Sequence, residues 1–302
     1  MKKRRLGTSD LFVSELGLGC MSIGTDEKKA TAIIEAALEE EINYFDTADL
    51  YDFGENEKFV GRALKNVRDK VIIATKAGNR WNENKDGWSW DPSKKHIKEA
   101  AKQSLKRLGT DYIDLYQLHG GTIGDPIDET IDAFEELKSE GYIRFYGISS
   151  IRPNVIREYA SKAEIVSVMM QYSILDRRPE EIFSLLQSQN ISVVARGPVA
   201  KGLLSEKMLD KASQKGYLDY SFEELNELLP SLKKKIAKDR SMTDIALQYN
   251  LANSVVSSVV AGASSPEQVR ANASAVKSKP LTEKEITFIQ ELSKAGCYEE
   301  HR

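Results

Sequence analysis

At 302 residues the chain is long enough to bury a substantial core, and length alone leaves one or two domains open. Hydrophobic content of 41%, charged content of 29% and a formal charge of -3 describe a folded, near-neutral protein, with no reason to expect nucleic acid or an anionic membrane as a partner. The basic opening MKKRR runs into LGTSDLFVSELG, not into a continuous apolar segment, and no apolar run approaches the length of a membrane span. Two cysteines, Cys20 and Cys297, supply neither a disulfide framework nor a metal-ligand spacing, so no metal is expected and a reducing cytoplasm is the expected location. The triplet Asn272-Ala273-Ser274 matches a glycosylation acceptor, a match that has no meaning there.

In chain order, residues 3 to 13 predict a short hairpin around GTSD, placed where it could plug the floor of a barrel. Short apolar runs rich in β-branched residues then alternate with segments of helical period. They are SELGLGC (14 to 20) with a helix over 27 to 41, INYFD (42 to 46) with 55 to 67, KVIIATK (70 to 76) with 93 to 108, and IDLYQLH (113 to 119) with 127 to 140. IRFYGIS (143 to 149) follows with 153 to 161, IVSVMMQ (165 to 171) with 179 to 189, ISVVARG (191 to 197) with 241 to 251, and VSSVVAG (256 to 262) with 266 to 275. Eight strand and helix units with no compositional break predict a closed (β/α)8 TIM barrel, a single domain over residues 1 to 302. A long charged insertion at 203 to 240 and a Thr-capped final helix in LTEKEITFIQELSK lie outside the repeat.

Chemistry in such a barrel sits at the C-terminal ends of the strands. The second strand ends in Asp46 with Tyr51 just beyond, the third in Lys76 and the fourth in His119. Taken singly, an Asp there is a turn former or a cap and a Tyr is rim packing. Taken together, they make a device for protonating a carbonyl oxygen while something else attacks the carbon. A phenol has an ordinary pKa of about 10, which a neighbouring ammonium such as Lys76 lowers. Asp46 would keep that ammonium charged, and His119 would donate a hydrogen bond to the substrate oxygen.

At these residues the chain resembles the aldo-keto reductases. FDTADLYDFGENEKFVGRAL looks like that family's Asp and Tyr segment, IIATKAG its Lys strand and DYIDLYQLHG its His strand. ELGLGCMSIG, GYIRFYGISS, MMQYSILDR, ARGPVAKGLL and VVAGASSPEQVRAN extend the likeness over residues 3 to 295. The resemblance implies that Asp46, Tyr51, Lys76 and His119 are the catalytic residues. It further implies a hydride from NADPH, with NADH the lesser choice, and an aldehyde or ketone substrate reduced to an alcohol.

By the same resemblance Ser149, Ser150 and Gln171 hold the nicotinamide carboxamide, although Asn is usual at the place of Ser150. Arg196, followed by Gly197, stands where an aromatic ring ordinarily stacks on the nicotinamide; a planar guanidinium can stack too. The loop from Gly262 through Ser264, Ser265, Gln268, Arg270 and Asn272 resembles the site for the adenosine 2'-phosphate. Ser265 before Pro266 is a good helix start that leaves backbone N–H groups for an anion, and Arg270 is the nearest source of positive charge.

Other features carry less. The DFG triplet at 52 to 54 lacks the companions of a kinase motif, and GLGCMS is an incomplete dinucleotide fingerprint. His96 and His301 read as solvated. Trp81, Trp88 and Trp90 form either the core of their own loop or a wall of the substrate pocket, which the loops at 77 to 92 and 203 to 240 and the tail are expected to build. Two rivals stand beside the reductase: a barrel that holds NADPH as a sensor or accessory subunit with little turnover, and a barrel enzyme of another class, which would need a ligand cluster or phosphate loop.

Overall fold

A computed structural model describes residues 1–211, 213–237 and 239–302. The chain opens with an antiparallel hairpin, β1 (Lys3–Arg5) and β2 (Phe12–Ser14), then enters the barrel at β3 (Leu16–Gly19). Helix α1 (Glu27–Glu39), β4 (Tyr44–Asp46), α2 (Glu55–Leu64) and β5 (Ile72–Ala77) follow. A second small hairpin, β6 (Asn79–Trp81) and β7 (Trp88–Trp90), interrupts the repeat before α3 (Lys94–Leu108). The repeat resumes with β8 (Ile113–Leu118), α4 (Ile127–Ser139), β9 (Ile143–Ser149), α5 (Pro153–Lys162), β10 (Ser167–Gln171), α6 (Glu180–Ser188) and β11 (Ser192–Arg196). The insertion carries α7 (Met208–Lys211) and α8 (Phe222–Ile236), and the chain ends with α9 (Met242–Ala252), β12 (Val256–Gly262), α10 (Pro266–Lys277) and α11 (Glu283–Leu292).

Eight strands pair in parallel in the order β3, β4, β5, β8, β9, β10, β11, β12, and β12 returns to β3 to close the ring. The expected hairpin, barrel and last helix are all present, with ends differing by a few residues. Helices begin where the sequence supplies caps. Ser93 accepts a bond from the His96 N–H at the start of α3, and Ser221, Ser241 and Thr282 form reciprocal capping boxes at α8, α9 and α11.

Two apolar clusters organise the molecule. The larger fills the space between the sheet and the helices. The smaller lies inside the barrel and joins Tyr44, Ile72, Ala74, Leu115, Met169, Val194 and Val260 to Leu6, Leu11 and Val13 of the first hairpin. That hairpin therefore plugs the barrel floor. Its turn needs Gly7: φ there is +55°, and a Cβ would lie 2.2 Å from the Val166 carbonyl oxygen.

This inner cluster fixes where chemistry can occur. Side chains along a strand alternate between faces, so the residue two beyond an inward one also faces inward. Tyr44 leads to Asp46, Ala74 to Lys76, Met169 to Gln171, Val194 to Arg196 and Val260 to Gly262. Leu115 leads through Gln117 toward His119, just past the end of β8. Apolar residues fill the barrel, and the polar ones form its upper rim.

Candidate active site

At that rim Lys76, 1% exposed, donates from Nζ to Asp46 Oδ2 at 2.7 Å and to the Thr47 carbonyl at 2.7 Å. Burial pulls the lysine pKa down, but Asp46 and then Tyr51 pull harder in the other direction, so the net shift is upward and the side chain is an ammonium. Tyr51 opens a short 3-10 turn whose next two residues, Asp52 and Phe53, have φ of 47° and 52°. That strained turn lays the Tyr51 ring with its centroid 5.2 Å from Lys76 Nζ. The His119 ring meets it edge-on at 6.0 Å.

The phenol differs from the sequence expectation. Lys76 does draw its pKa down, but burial raises it more, and the net direction is up from the ordinary value of 10.0. Desolvation wins because the ring is largely enclosed and the Asp46 carboxylate offsets part of the ammonium's field. His119 moves down, to about 3, because burial, Lys76 and Arg196 all disfavour the imidazolium. It is a neutral ring whose buried Nδ1 has no hydrogen-bond partner among the described residues. Its main chain is anchored on both sides: the His119 N–H donates to the Ala77 carbonyl at 2.7 Å, and Asn79 Nδ2 donates to the His119 carbonyl at 3.2 Å.

These groups face a cavity of about 770 Å³, which Tyr51, Lys76 and His119 line together with Ser149, Ser150 and Arg196. Gln171 stands beside Arg196, its Oε1 accepting from the guanidinium at 3.2 Å and its Nε2 donating to Asp176 at 2.9 Å. Ser150 uses its hydroxyl to accept from the Arg152 N–H at 3.2 Å. Gly197, with φ of +66°, turns the chain away after Arg196.

The other candidate residues lie apart from the cavity walls. Ser265 caps α10, accepting from Gln268 N–H at 3.4 Å, as expected. The neighbouring donors are not free, however: the Ser264 N–H and hydroxyl both donate to the Gln268 side-chain oxygen, at 2.7 and 3.1 Å. A capping helix brings its third residue back over its own first turn, and here that residue carries an amide acceptor. Arg270 pairs with Glu39 of α1 at 3.0 Å, with both side chains well exposed, while Asn272 is half-buried on the same helix and Gly262 ends β12.

The tail and the insertion at 203 to 240, both expected to build the pocket, supply wall residues, whereas Arg152 and Arg178, which lie beyond the strand ends, went unnoticed in the sequence. Residues 297–301 of the tail line the cavity, as do Arg152, Arg178 and Asp219. Tyr298, 6% exposed, anchors the tail beneath Arg178, whose guanidinium lies 4.9 Å from the ring centroid. The His301 carbonyl accepts from the Asn154 N–H at 2.9 Å, and Arg302 pairs with Glu181 at 2.9 Å. His301 lines the cavity while its side chain stays exposed, as a solvated residue would, whereas His96, also expected to be solvated, is buried within α3.

The loop at 77 to 92 contributes no residue to this cavity. Its tryptophans diverge: Trp88 is 59% exposed, Trp81 meets Phe53 edge-on at 6.3 Å, and Trp90 donates to Asp125 at 2.9 Å. Trp90 also covers Gly78, where φ is +126° and a Cβ would sit 2.7 Å from the indole. That packing holds the loop against the rim beside His119.

A closed parallel barrel with a buried lysine–carboxylate pair, a phenol and a neutral imidazole at the C-terminal rim defines an oxidoreductase-type barrel site. The chain belongs to the aldo/keto reductase family, whose model matches residues 15–294. Members of that family use a nicotinamide cofactor, and the donors at this rim, above all His119 and Arg196, suit such a group. The chain is 61% identical to the uncharacterized oxidoreductase YqkF of Bacillus subtilis, with 100% of each chain covered. It is 33% identical to an NADH-specific methylglyoxal reductase of Escherichia coli, over 98% of this chain and 99% of that one. Among solved structures, the holo form of an aldo-keto reductase from Bacillus halodurans superposes with a TM-score of 0.96 at 62% identity, covering 100% of this chain and 99% of that one. No helix among the described residues is long and apolar enough to cross a membrane.

Proposed function

We propose that the chain is an NADPH-dependent reductase of aldehydes or ketones, working as a single barrel unit over residues 1 to 302 in the cytoplasm. The observation that carries this reading is the Lys76–Asp46 pair at 2.7 Å, set beneath Tyr51 and beside a neutral His119 in one cavity. When bound, the nicotinamide supplies the hydride. Tyr51 gives its proton to the carbonyl oxygen as charge develops there, and His119 holds that oxygen with a hydrogen bond from a neutral ring nitrogen. Lys76 stabilises the phenolate left behind, and Asp46 keeps Lys76 charged and in place.

Ser149, Ser150 and Gln171 would hold the carboxamide and Arg196 would lie on the ring, with Gly197 allowing the chain to turn clear of it. Gly262, Ser264, Ser265, Gln268, Arg270 and Asn272 would receive the adenosine end. The substrate is a small carbonyl compound, admitted past the tail. Methylglyoxal, named for the Escherichia coli relative, belongs in the first panel tested.

The test follows loss of NADPH absorbance with aldehydes, ketones, dicarbonyls and sugars, for wild type and for Tyr51→Phe. Turnover by the wild type, reduced about a hundredfold or more in the variant with cofactor affinity kept, is the expected result. Tight NADPH binding without turnover on any carbonyl would favour the sensor. A Tyr51→Phe enzyme of nearly normal rate would remove Tyr51 as the acid.

A further inference from the structure

Beyond the end of β10 the chain turns back on itself. The Asp176 N–H donates to the Ser173 carbonyl at 3.0 Å and the Ser173 N–H to the Asp176 carbonyl at 3.2 Å. The Ser173 hydroxyl steadies the turn by accepting from the Leu175 N–H at 3.2 Å. That tight return brings the Asp176 carboxylate to Gln171, the last residue of the strand. Asp176 is 2% exposed, and Arg178 holds it with a two-pronged pair, Nε to Oδ1 at 2.8 Å and Nη2 to Oδ2 at 2.9 Å.

The consequence falls on the Gln171 amide. An amide nitrogen carries two hydrogens, and an amide oxygen accepts twice. Both hydrogens of Gln171 Nε2 have acceptors, Asp176 Oδ2 at 2.9 Å and the Tyr217 hydroxyl at 3.4 Å. Oε1 accepts once, from Arg196 Nη1 at 3.2 Å, so among the described residues the unused capacity of this side chain is one acceptor position. Turning the amide over would set Oε1 against the Asp176 carboxylate and Nε2 against the Arg196 guanidinium, acceptor on acceptor and donor on donor. Ser149 and Ser150 impose no such polarity, because a hydroxyl both donates and accepts. Of the three residues proposed for the carboxamide, Gln171 alone dictates that the group meeting it be a donor.

We propose that Asp176 is a positioning residue for the cofactor: by fixing the Gln171 amide with its oxygen on the Arg196 side, it makes the site select a carboxamide N–H on the nicotinamide. The inference rests on the proposed contact between Gln171 and that carboxamide. Asp176 does not line the cavity and acts through Gln171. Arg178, which does line it, ties the arrangement to the tail through the Tyr298 ring.

The test compares NADP+ with its 3-acetylpyridine analogue, which carries a methyl group where the carboxamide carries its NH2. Each is titrated calorimetrically into wild type, Asp176→Leu and Asp176→Asn. Wild type should bind NADP+ about tenfold more tightly than the analogue, the upper range for one neutral hydrogen bond. Asp176→Leu should weaken NADP+ and leave the analogue nearly unchanged, so that the ratio falls about threefold or more. Asp176→Asn keeps the size but offers Gln171 either an oxygen or a nitrogen. Its ratio should fall by about twofold, and it decides the matter should the leucine variant fail to fold. An unchanged ratio in every variant that folds, with both ligands weakened alike, would leave Asp176 a purely structural residue and overturn the proposal. Equal binding of the two ligands by the wild type would overturn it while the cofactor reading stands, and binding of neither would remove both.

Discussion

Tyr51 is held between two opposing effects, and their balance sets the pH behaviour of the site. Burial raises the phenol's pKa and Lys76 lowers it, with burial the larger. In the proposed reaction reduction uses the protonated phenol, so its rate should stay level through neutral pH and fall only above about pH 10. Alcohol oxidation uses the phenolate and should still be rising there. Lys76→Met removes the lowering influence, so activity in both directions should fall by about a hundredfold or more and the residual pH profile should move toward higher pH. Substantial activity with an unshifted profile would show that Lys76 only supports the structure. His119 gives a stability prediction. Its folded pKa of about 3 lies below the ordinary 6.5, so between those values the unfolded chain binds more protons. Stability present above pH 6.5 should therefore be lost progressively as pH falls toward 3. Urea midpoints against pH should fall less steeply for His119→Gln, and His96 adds to the slope with the same sign.

Two elements outside the repeat shape the barrel at its opposite ends. The first hairpin closes the floor through Leu6, Leu11 and Val13, each at most 2% exposed. Leu11→Ala should cost about 2–5 kcal/mol, the usual range for a leucine removed from a packed interior, and denaturant unfolding would measure it. Activity at low temperature should survive, since the rim lies at the other end. The tail closes the top through Tyr298, the His301 carbonyl and the Arg302–Glu181 pair. Ending the chain after Gly296 should open the cavity, raising kcat/KM for bulky carbonyls relative to small ones. An unchanged ratio would mean that the tail covers a part of the cavity that substrates do not enter.

Across the whole molecule, the proposed cofactor contacts would run from the rim at Arg196 to the start of α10, and the second end is only partly prepared. Gln268 occupies the Ser264 donors and Arg270 is engaged with Glu39. An exposed pair of that kind is worth about 0–1 kcal/mol, so Arg270 can change partner at small cost. One charge-assisted contact contributes roughly 1.5–3 kcal/mol, and NADPH should therefore bind more tightly than NADH by about tenfold or somewhat more. Arg270→Ala should remove most of that margin and leave NADH unchanged. Cofactor titrations giving equal NADPH and NADH affinities in the wild type would refute the preference.

The sequence by itself determined the alternation of strands and helices, the hairpin before them and the inward row that ends in Asp46, Lys76, His119, Gln171 and Arg196. Those features follow from local periodicity and caps, which any short window of the chain carries. Tertiary structure alone decided that His301 reaches the cavity, that His96 is buried, that Gln268 bonds back to Ser264 and that the tryptophan loop stands beside the cavity without lining it. It also decided the sign of the Tyr51 shift. Each of these depends on what packs against a residue from distant parts of the chain, and both desolvation and hydrogen-bond partnership are set by those neighbours, which periodicity does not encode.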